Sequence, residues 1–227
     1  MDDALAEQIH RAAAAMGLDV DDRQLDAFGR YADLVGKWQY VTNLTGAREA
    51  EQFVSEHLID CLSLVPHLAG GRVLDLGSGA GLPGIVLAIA RGDLALTLLE
   101  PRSRRARFLT QVRIELGLNN VEVVCARAES WHGQVAQDYI VSRAFGSLPA
   151  FARAAQHLRS PATALIAMKG AVDPAELAAA ERIAGASAVV RLDVPGFSNR
   201  HLVVFGSAEQ PVGLRASSRG EWESEAK

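Results

Sequence analysis

From residue 72 onward, short apolar segments alternate with helical patterns, and this alternation constrains the fold more than any other feature. Seven segments have the length and composition of strands, at 73–76, 94–99, 121–125, 139–141, 164–168, 188–192 and 202–205. Helical patterns lie between them at 83–90, 104–116, 148–158 and 174–184. Such alternation predicts a mostly parallel sheet with helices on both faces. The turn-rich segment 194–200 is too short for a parallel crossover, so the last two strands should pair antiparallel.

The first third of the chain has the period of helices instead. Apolar residues recur on one helical face within 5–16, 25–38 and 53–65, and Pro66 should end the third helix. Three amphipathic helices cannot each bury a face alone, so we expect them to cover a larger body. The predicted organisation is a helical cap over residues 1–68, a core over residues 69–207 and a flexible tail over residues 208–227.

Composition indicates an ordinary globular chain. With 227 residues, 49% apolar and 22% charged, it can bury a sizeable core, which excludes disordered, collagen-like and disulfide-stapled classes. Cys61 and Cys125 lie 64 residues apart, with no C-x-x-C motif or Cys/His cluster near either, which fits a reducing compartment and argues against a zinc or iron–sulfur site. The acidic N-terminus is no secretory signal, and the longest apolar run, 85–90, cannot span a bilayer. We therefore expect a cytoplasmic protein with neither a metal site nor a membrane segment.

Charge is distributed unevenly along the chain. The net charge of −4 excludes a globally basic surface, so any polyanionic partner must be bound by a local patch. The segment 100–113 is the candidate for such a patch, because it contains five arginines and a single acidic residue, Glu100.

The most informative motif is VLDLGSGAGLPG at 73–84, in which a buried strand runs into alternate glycines. Glycines suit a chain that turns sharply and brings its backbone against a ligand. The next strand ends in Glu100, 23 residues after Gly77, close to the spacing of an acid that binds a ribose diol. A tight turn without a ligand would not require so many glycines.

Two classes of nucleotide-binding enzyme share this plan. The dinucleotide fingerprint is G-x-G-x-x-G, with a helix N-terminus aimed at a pyrophosphate, whereas here the third glycine comes one residue early. Asp75 precedes the first glycine by two residues, where a carboxylate would repel a pyrophosphate but suit a cationic ligand. S-adenosylmethionine carries a sulfonium and an ammonium and no phosphate. The motif thus favours a methyltransferase over a nicotinamide enzyme.

At this level of detail the chain resembles the bacterial ribosomal small subunit methyltransferase G family, also called glucose-inhibited division protein B. Beyond the glycine motif and Glu100, further segments match that family in order along nearly the whole chain. They are WQYVTNLT at 38–45, HLIDCL at 57–62, ARAES at 126–130, SRAF at 142–145, MKG at 168–170 and RHLV at 200–203.

The resemblance implies a class I, Rossmann-like fold and methylation of N7 of one guanine of 16S rRNA, with S-adenosylmethionine as the methyl donor. Guanine N7 carries a free lone pair, so the enzyme has to align the reactants rather than remove a proton. The segment after the fourth strand reads SRAF rather than an N-P-P-Y-like motif of amine methylases, and neither cysteine is placed for cytosine C5 chemistry. We therefore nominate no general base. The cofactor-binding residues that we predict are Asp75, Gly77, Ser78, Gly79, Gly81, Leu82, Glu100, Ala128, Glu129 and Arg143.

A second set of residues is expected to meet RNA at the rim of the site. It comprises Asn43, Arg48, Arg102, Arg105, Phe145, Lys169, Arg200 and His201. Alternatives stay open for several of them: Phe145 could stack on the guanine or belong to the core, and the arginines could be a solvated helix face. Arg143 could bind the cofactor carboxylate or a substrate phosphate, or form a capping ion pair. Asn43 and Thr45 could cap the third helix or line the pocket mouth.

Two other functions remain to be separated from rRNA methylation. A methyltransferase for a small molecule or a protein would keep the cofactor residues and give the arginines no task. A non-catalytic RNA-binding or assembly factor would bind RNA without consuming the cofactor. The expected partner is 16S rRNA, the small ribosomal subunit or its assembly intermediate, and the protein is expected to be a monomer.

Overall fold

The strands form one seven-stranded sheet in the computed structural model, which describes residues 3–47, 49–133 and 135–206. Their bounds are β1 Gly71–Leu76, β2 Leu94–Leu99, β3 Val121–Val124, β4 Tyr139–Ser142, β5 Ala164–Lys169, β6 Ser187–Arg191 and β7 His201–Phe205. The spatial order is β3-β2-β1-β4-β5-β7-β6. The first five strands are parallel, and β7 is antiparallel to both of its neighbours. The predicted sheet, including its antiparallel end, is confirmed.

Eight α-helices accompany the sheet in the described part of the chain. They are α1 Asp3–Ala15, α2 Asp22–Gln39, α3 Ala50–Phe53, α4 Ile59–Leu62, α5 Gly84–Ala90, α6 Ser103–Glu115, α7 Leu148–Ala155 and α8 Pro174–Ala184. A π-helical turn, Val54–Leu58, joins α3 to α4. The third helix expected from sequence therefore exists, but its middle is wound more widely than an α-helix. None of the described helices is long and apolar enough to cross a membrane.

The N-terminal helices pack on one face of the sheet through α5 and α6. A capping box between Asp21 and Gln24 starts α2, and the Gln24 amide donates to the carbonyls of Ile89 and Ala90 at the end of α5. The buried stripe of α2 includes Phe28 and Tyr31. The cap is thus fixed to the core by its own hydrophobic face and by hydrogen bonds at its start.

The carboxyl ends of β1 to β5 meet at one edge of the sheet because these strands run parallel. The segments that follow β1, β2, β3 and β4 carry the residues that the sequence motifs single out. Ligands of open α/β sheets bind outside this edge. The fold thereby brings together residues that are up to 158 positions apart, from Asn43 to His201.

Candidate active site

The glycine loop leaves β1 and closes on the end of β2. Gly77, Gly79 and Gly81 have φ angles of 76°, 59° and 91°, a backbone region that side chains rarely adopt. The amides of Gly77 and Ser78 both donate to the Leu99 carbonyl, at 2.9 and 3.2 Å. A side chain at Gly77 would also come within 3.3 Å of the Phe145 ring. The loop conformation therefore depends on glycine at these positions.

Glu100 fixes the loop from the neighbouring strand. One carboxylate oxygen accepts from the Gly79 amide at 2.8 Å, and the other accepts from the Arg102 amide at 2.9 Å. Each carboxylate oxygen can accept a further hydrogen bond, so the group is able to bind a diol while it holds the loop.

Asp75 lies beneath the loop rather than on its open side. It is fully buried, and its Oδ2 accepts from the Gly84 amide at the start of α5, at 3.0 Å. Its Oδ1 has no hydrogen-bond partner among the described residues. Burial raises the pKa of Asp75 to about 7. A side chain at Gly84 would collide with Leu98 and with Asp75 itself, which explains the glycine after Pro83.

The cap supports the same loop through a residue that the sequence motifs do not single out. The buried Tyr31 hydroxyl donates to the Ala80 carbonyl at 2.6 Å, and its ring packs edge-to-face on Phe53 at 5.2 Å between centroids. The only sequence signal was a tyrosine within an apolar helical stripe, where a buried hydroxyl requires a partner.

Asp60 joins two arginines at the other side of the site. Its oxygens accept from Arg143 Nε at 3.0 Å and from Arg200 Nε at 2.8 Å, and the side chain is only 5% exposed. Arg143 Nη2 also donates to His57 Nδ1 at 2.9 Å. His57 and Asp60, one helical turn apart in sequence, are both bonded to Arg143. They flank the end of the π-helical turn, a local geometry often found at functional sites.

This environment sets the protonation of its neighbours. Burial and the adjacent Arg143 charge lower the pKa of His57, so the ring is neutral at pH 7. Burial raises the pKa of the Cys61 thiol to about 12, which excludes a thiolate nucleophile at this position. In the described part of the chain, no cluster of three or more His, Cys, Asp or Glu side chains could hold a metal ion.

Other predicted residues lie along the same edge. Ala128 is buried and Glu129 exposed in a 3₁₀ turn shortly after β3. Ser78 is buried, and its hydroxyl donates a hydrogen bond to the Asp75 carbonyl. Leu82 contributes to the hydrophobic core.

Phe145 is half-buried and packs partly on the core. It packs on Phe151 at 5.9 Å between centroids and borders a small cavity together with Arg143 and Lys169. Lys169 is already engaged with Glu176 at 3.2 Å. His201 Nδ1 lies 2.7 Å from the Gly170 carbonyl oxygen.

The rim near the glycine loop is formed by α6 and the cap. Arg105 Nη2 donates to the Asn43 carbonyl at 2.9 Å, and Arg102 is exposed at the start of the helix. The suggestion that Asn43 or Thr45 caps the third helix is wrong, because Glu49 precedes α3 and makes no side-chain cap. Arg48 lies outside the described residues.

Comparison with known proteins decides the family. A model described as rRNA small subunit methyltransferase G matches residues 24–203. The chain belongs to this family. A ribosomal RNA small subunit methyltransferase G from Chromobacterium violaceum is 43% identical over 198 residues, which are 86% of this chain and 95% of the relative. A methyltransferase G from Stutzerimonas stutzeri is 43% identical over 203 residues, or 88% of this chain and 94% of the relative.

Solved structures resemble this chain in fold alone. The apo S-adenosylmethionine-dependent methyltransferase SibL matches with a TM-score of 0.55 and 16% identity, over 78% of this chain and 69% of that one. A point mutant of MtNAS in complex with S-adenosylmethionine matches with a TM-score of 0.54 and 16% identity, over 88% of this chain and 77% of that one. The class I methyltransferase fold is thereby confirmed.

Proposed function

We propose that the protein transfers the methyl group of S-adenosylmethionine to N7 of a single guanine of 16S rRNA. The observation that carries this proposal is the pairing, at one sheet edge, of a glycine loop closed by Glu100 with an arginine-lined rim. Membership of the methyltransferase G family supports the same reaction.

The loop residues fit S-adenosylmethionine. The glycines leave bare backbone at the end of β1, and a side-chain carbon added at Gly79 would have nothing closer than 3.8 Å, so a ligand can approach there. Glu100 has free acceptor capacity for a ribose diol. Asp75 supports the loop from beneath, where its Oδ2 accepts from the Gly84 amide. When bound, S-adenosylmethionine supplies an activated methyl group on a sulfonium.

The protein's own contribution is to align the two reactants. The lone pair of guanine N7 needs no prior deprotonation, so a site without a dedicated proton acceptor is adequate. The Phe145 ring lies beside Gly77, and we infer that the target base stacks on it. Arg143, held by Asp60 and His57, places a fixed positive charge near the end of β4, where it can bind the cofactor carboxylate or an RNA phosphate.

RNA binding would use the rim on both sides of this cleft. Arg102 and Arg105 lie beside the glycine loop, and Arg200, with Asp60 between it and Arg143, lies on the opposite side. We infer that the substrate is 16S rRNA, either free or as part of the small ribosomal subunit or its assembly intermediate. We also infer that the protein acts as a monomer in the cytoplasm and that the reaction uses no metal.

The proposal is tested by supplying methyl-labelled S-adenosylmethionine with unmodified 16S rRNA, small subunits or a protein extract in separate reactions. We expect label only in rRNA, and we expect Glu100→Ala to weaken cofactor binding at least tenfold. Glu122→Ala, which changes an exposed acid on β3, is the matched control and should behave as wild type. Label confined to protein or small molecules would contradict the proposed substrate. Cofactor binding without any transfer would favour a non-catalytic RNA-binding role.

A further inference from the structure

Tyr40 and Val41 form an exposed apolar tip at the end of α2, and neither has a part in the proposed reaction. Tyr40 is 85% exposed and Val41 is 68% exposed, a high exposure for two neighbouring large apolar residues. The tip belongs to the segment 38–45, which resembles the methyltransferase G family in sequence. An exposed apolar pair on a rigid frame has the character of a contact surface.

The frame beneath the tip is rigid because Gln39 ties the turn together. Its Oε1 accepts from the amides of Leu44 and Thr45, both at 2.9 Å, and its amide group donates to Asn43 Oδ1 at 3.1 Å and to the Thr45 carbonyl. The amides of Val41 and Thr42 both donate to the Trp38 carbonyl. These hydrogen bonds fix the backbone of the turn that carries Tyr40.

The tip adjoins the candidate active site through Arg105. This side chain donates to the Asn43 carbonyl at 2.9 Å and lies 3.8 Å from the position of a side-chain carbon at Gly79. The exposed Arg102 immediately precedes α6, and the exposed Arg104 lies on its first turn. The exposed Lys37 precedes the tip on α2. The turn that carries Tyr40 is thus joined, through Asn43, to the basic start of α6 at the mouth of the cleft.

We propose that Tyr40 is a stacking platform for an unpaired base of the rRNA substrate, one that flanks the target guanine. Proteins bind single-stranded nucleic acid by this combination, in which aromatic rings stack on bases and basic side chains contact the phosphates. A second copy of the chain is a poor occupant, because it would bring the same positive charges against this surface. The inference rests on the proposed rRNA substrate and adds a contact outside the reacting centre.

Variants of Tyr40 test the proposal with whichever substrate, naked rRNA or subunit, the wild-type protein methylates. We expect Tyr40→Ala to raise the KM for that substrate about 5- to 30-fold and to leave kcat and cofactor affinity within about twofold. Tyr40→Phe should retain the wild-type KM, whereas Tyr40→Leu, which keeps apolar area without a flat ring, should resemble Tyr40→Ala. The control is Ile114→Ala, an apolar position that is 68% exposed at the far end of α6.

A photocrosslinking variant, Tyr40→p-benzoylphenylalanine, identifies the partner directly. A crosslink to rRNA close to the methylated guanine is expected, with none from the same group at position 114. An unchanged KM for Tyr40→Ala, a fully active Tyr40→Leu, or a crosslink to a ribosomal protein would each overturn the stacking role. These outcomes leave methyl transfer by the wild type intact, so they are distinct from a failure of the proposed function.

Discussion

At the scale of single residues, the Asp60 carboxylate holds Arg143 and Arg200 in place in the candidate active site. Asp60→Asn leaves Arg143 and Arg200 close together without their shared carboxylate. Because both arginines are partly exposed, we expect the free energy of unfolding to fall by about 2–3 kcal/mol, at or below the low end of the range for breaking a buried pair. The control is Asp93→Asn, whose 56% exposed carboxylate pairs with Arg91 and should cost less than about 1 kcal/mol. Urea denaturation measures both, and equal losses would contradict a special role for Asp60.

Asp75 gives a second residue-scale prediction, in the pH dependence of stability. With its folded pKa raised from 3.8 to about 7, the native state holds a proton that the unfolded chain releases between those values. The stability of the wild type relative to Asp75→Asn should therefore fall from pH 4 to pH 7 and level off above that. Denaturation curves at successive pH values check this sign. A difference that rises with pH would show that the carboxyl is stabilised as the anion.

At the scale of elements, α2 supports the glycine loop through one hydroxyl group. Tyr31→Phe keeps the buried ring and leaves the Ala80 carbonyl without its donor, so we expect a loss of about 1–2 kcal/mol in the free energy of unfolding. Cofactor affinity, measured by calorimetry, should weaken several-fold, because the loop loses its support from the cap. The same change at the exposed Tyr40 should alter neither quantity. Unchanged cofactor affinity in Tyr31→Phe would indicate that the cap only covers the sheet.

The elements themselves were accessible from the sequence, whereas several contacts between them were not. Strand and helix periods are local, so the seven strands and the glycine loop between β1 and α5 could be predicted. The bond from Tyr31 to Ala80 and the bridge from Asp60 to Arg143 and Arg200 join distant parts of the chain. No local spacing encodes such pairings, and the π-helical turn beside them has no sequence period of its own. Arg143 and Arg200 could each be proposed as site residues from the sequence, but not the Asp60 carboxylate that joins them.

At the scale of the whole molecule, an acidic protein must bind a polyanion through one local surface. The rim around Arg102 and Arg104 predicts binding that weakens steeply as salt increases. The double variant Arg102→Ala/Arg104→Ala should reduce the slope of log K against log salt by about 1.5, or roughly 0.7–0.9 for each phosphate that is no longer neutralised. The double variant Arg11→Ala/Arg23→Ala, on exposed parts of α1 and α2, is the control. An unchanged slope in the first variant would assign these arginines to a solvated helix face.

The central claim concerns the atom that receives the methyl group, and chemical cleavage of the product RNA tests it most directly. A 7-methylguanosine is reduced by borohydride, and aniline then breaks the strand at that nucleotide. The protein first methylates 16S rRNA that carries no modification, and the product is then treated in this way. We expect the strand to be cut at a single guanosine, and no cut when S-adenosylmethionine is omitted. Incorporation of methyl label without cleavage would place the methyl group on another atom and contradict the account.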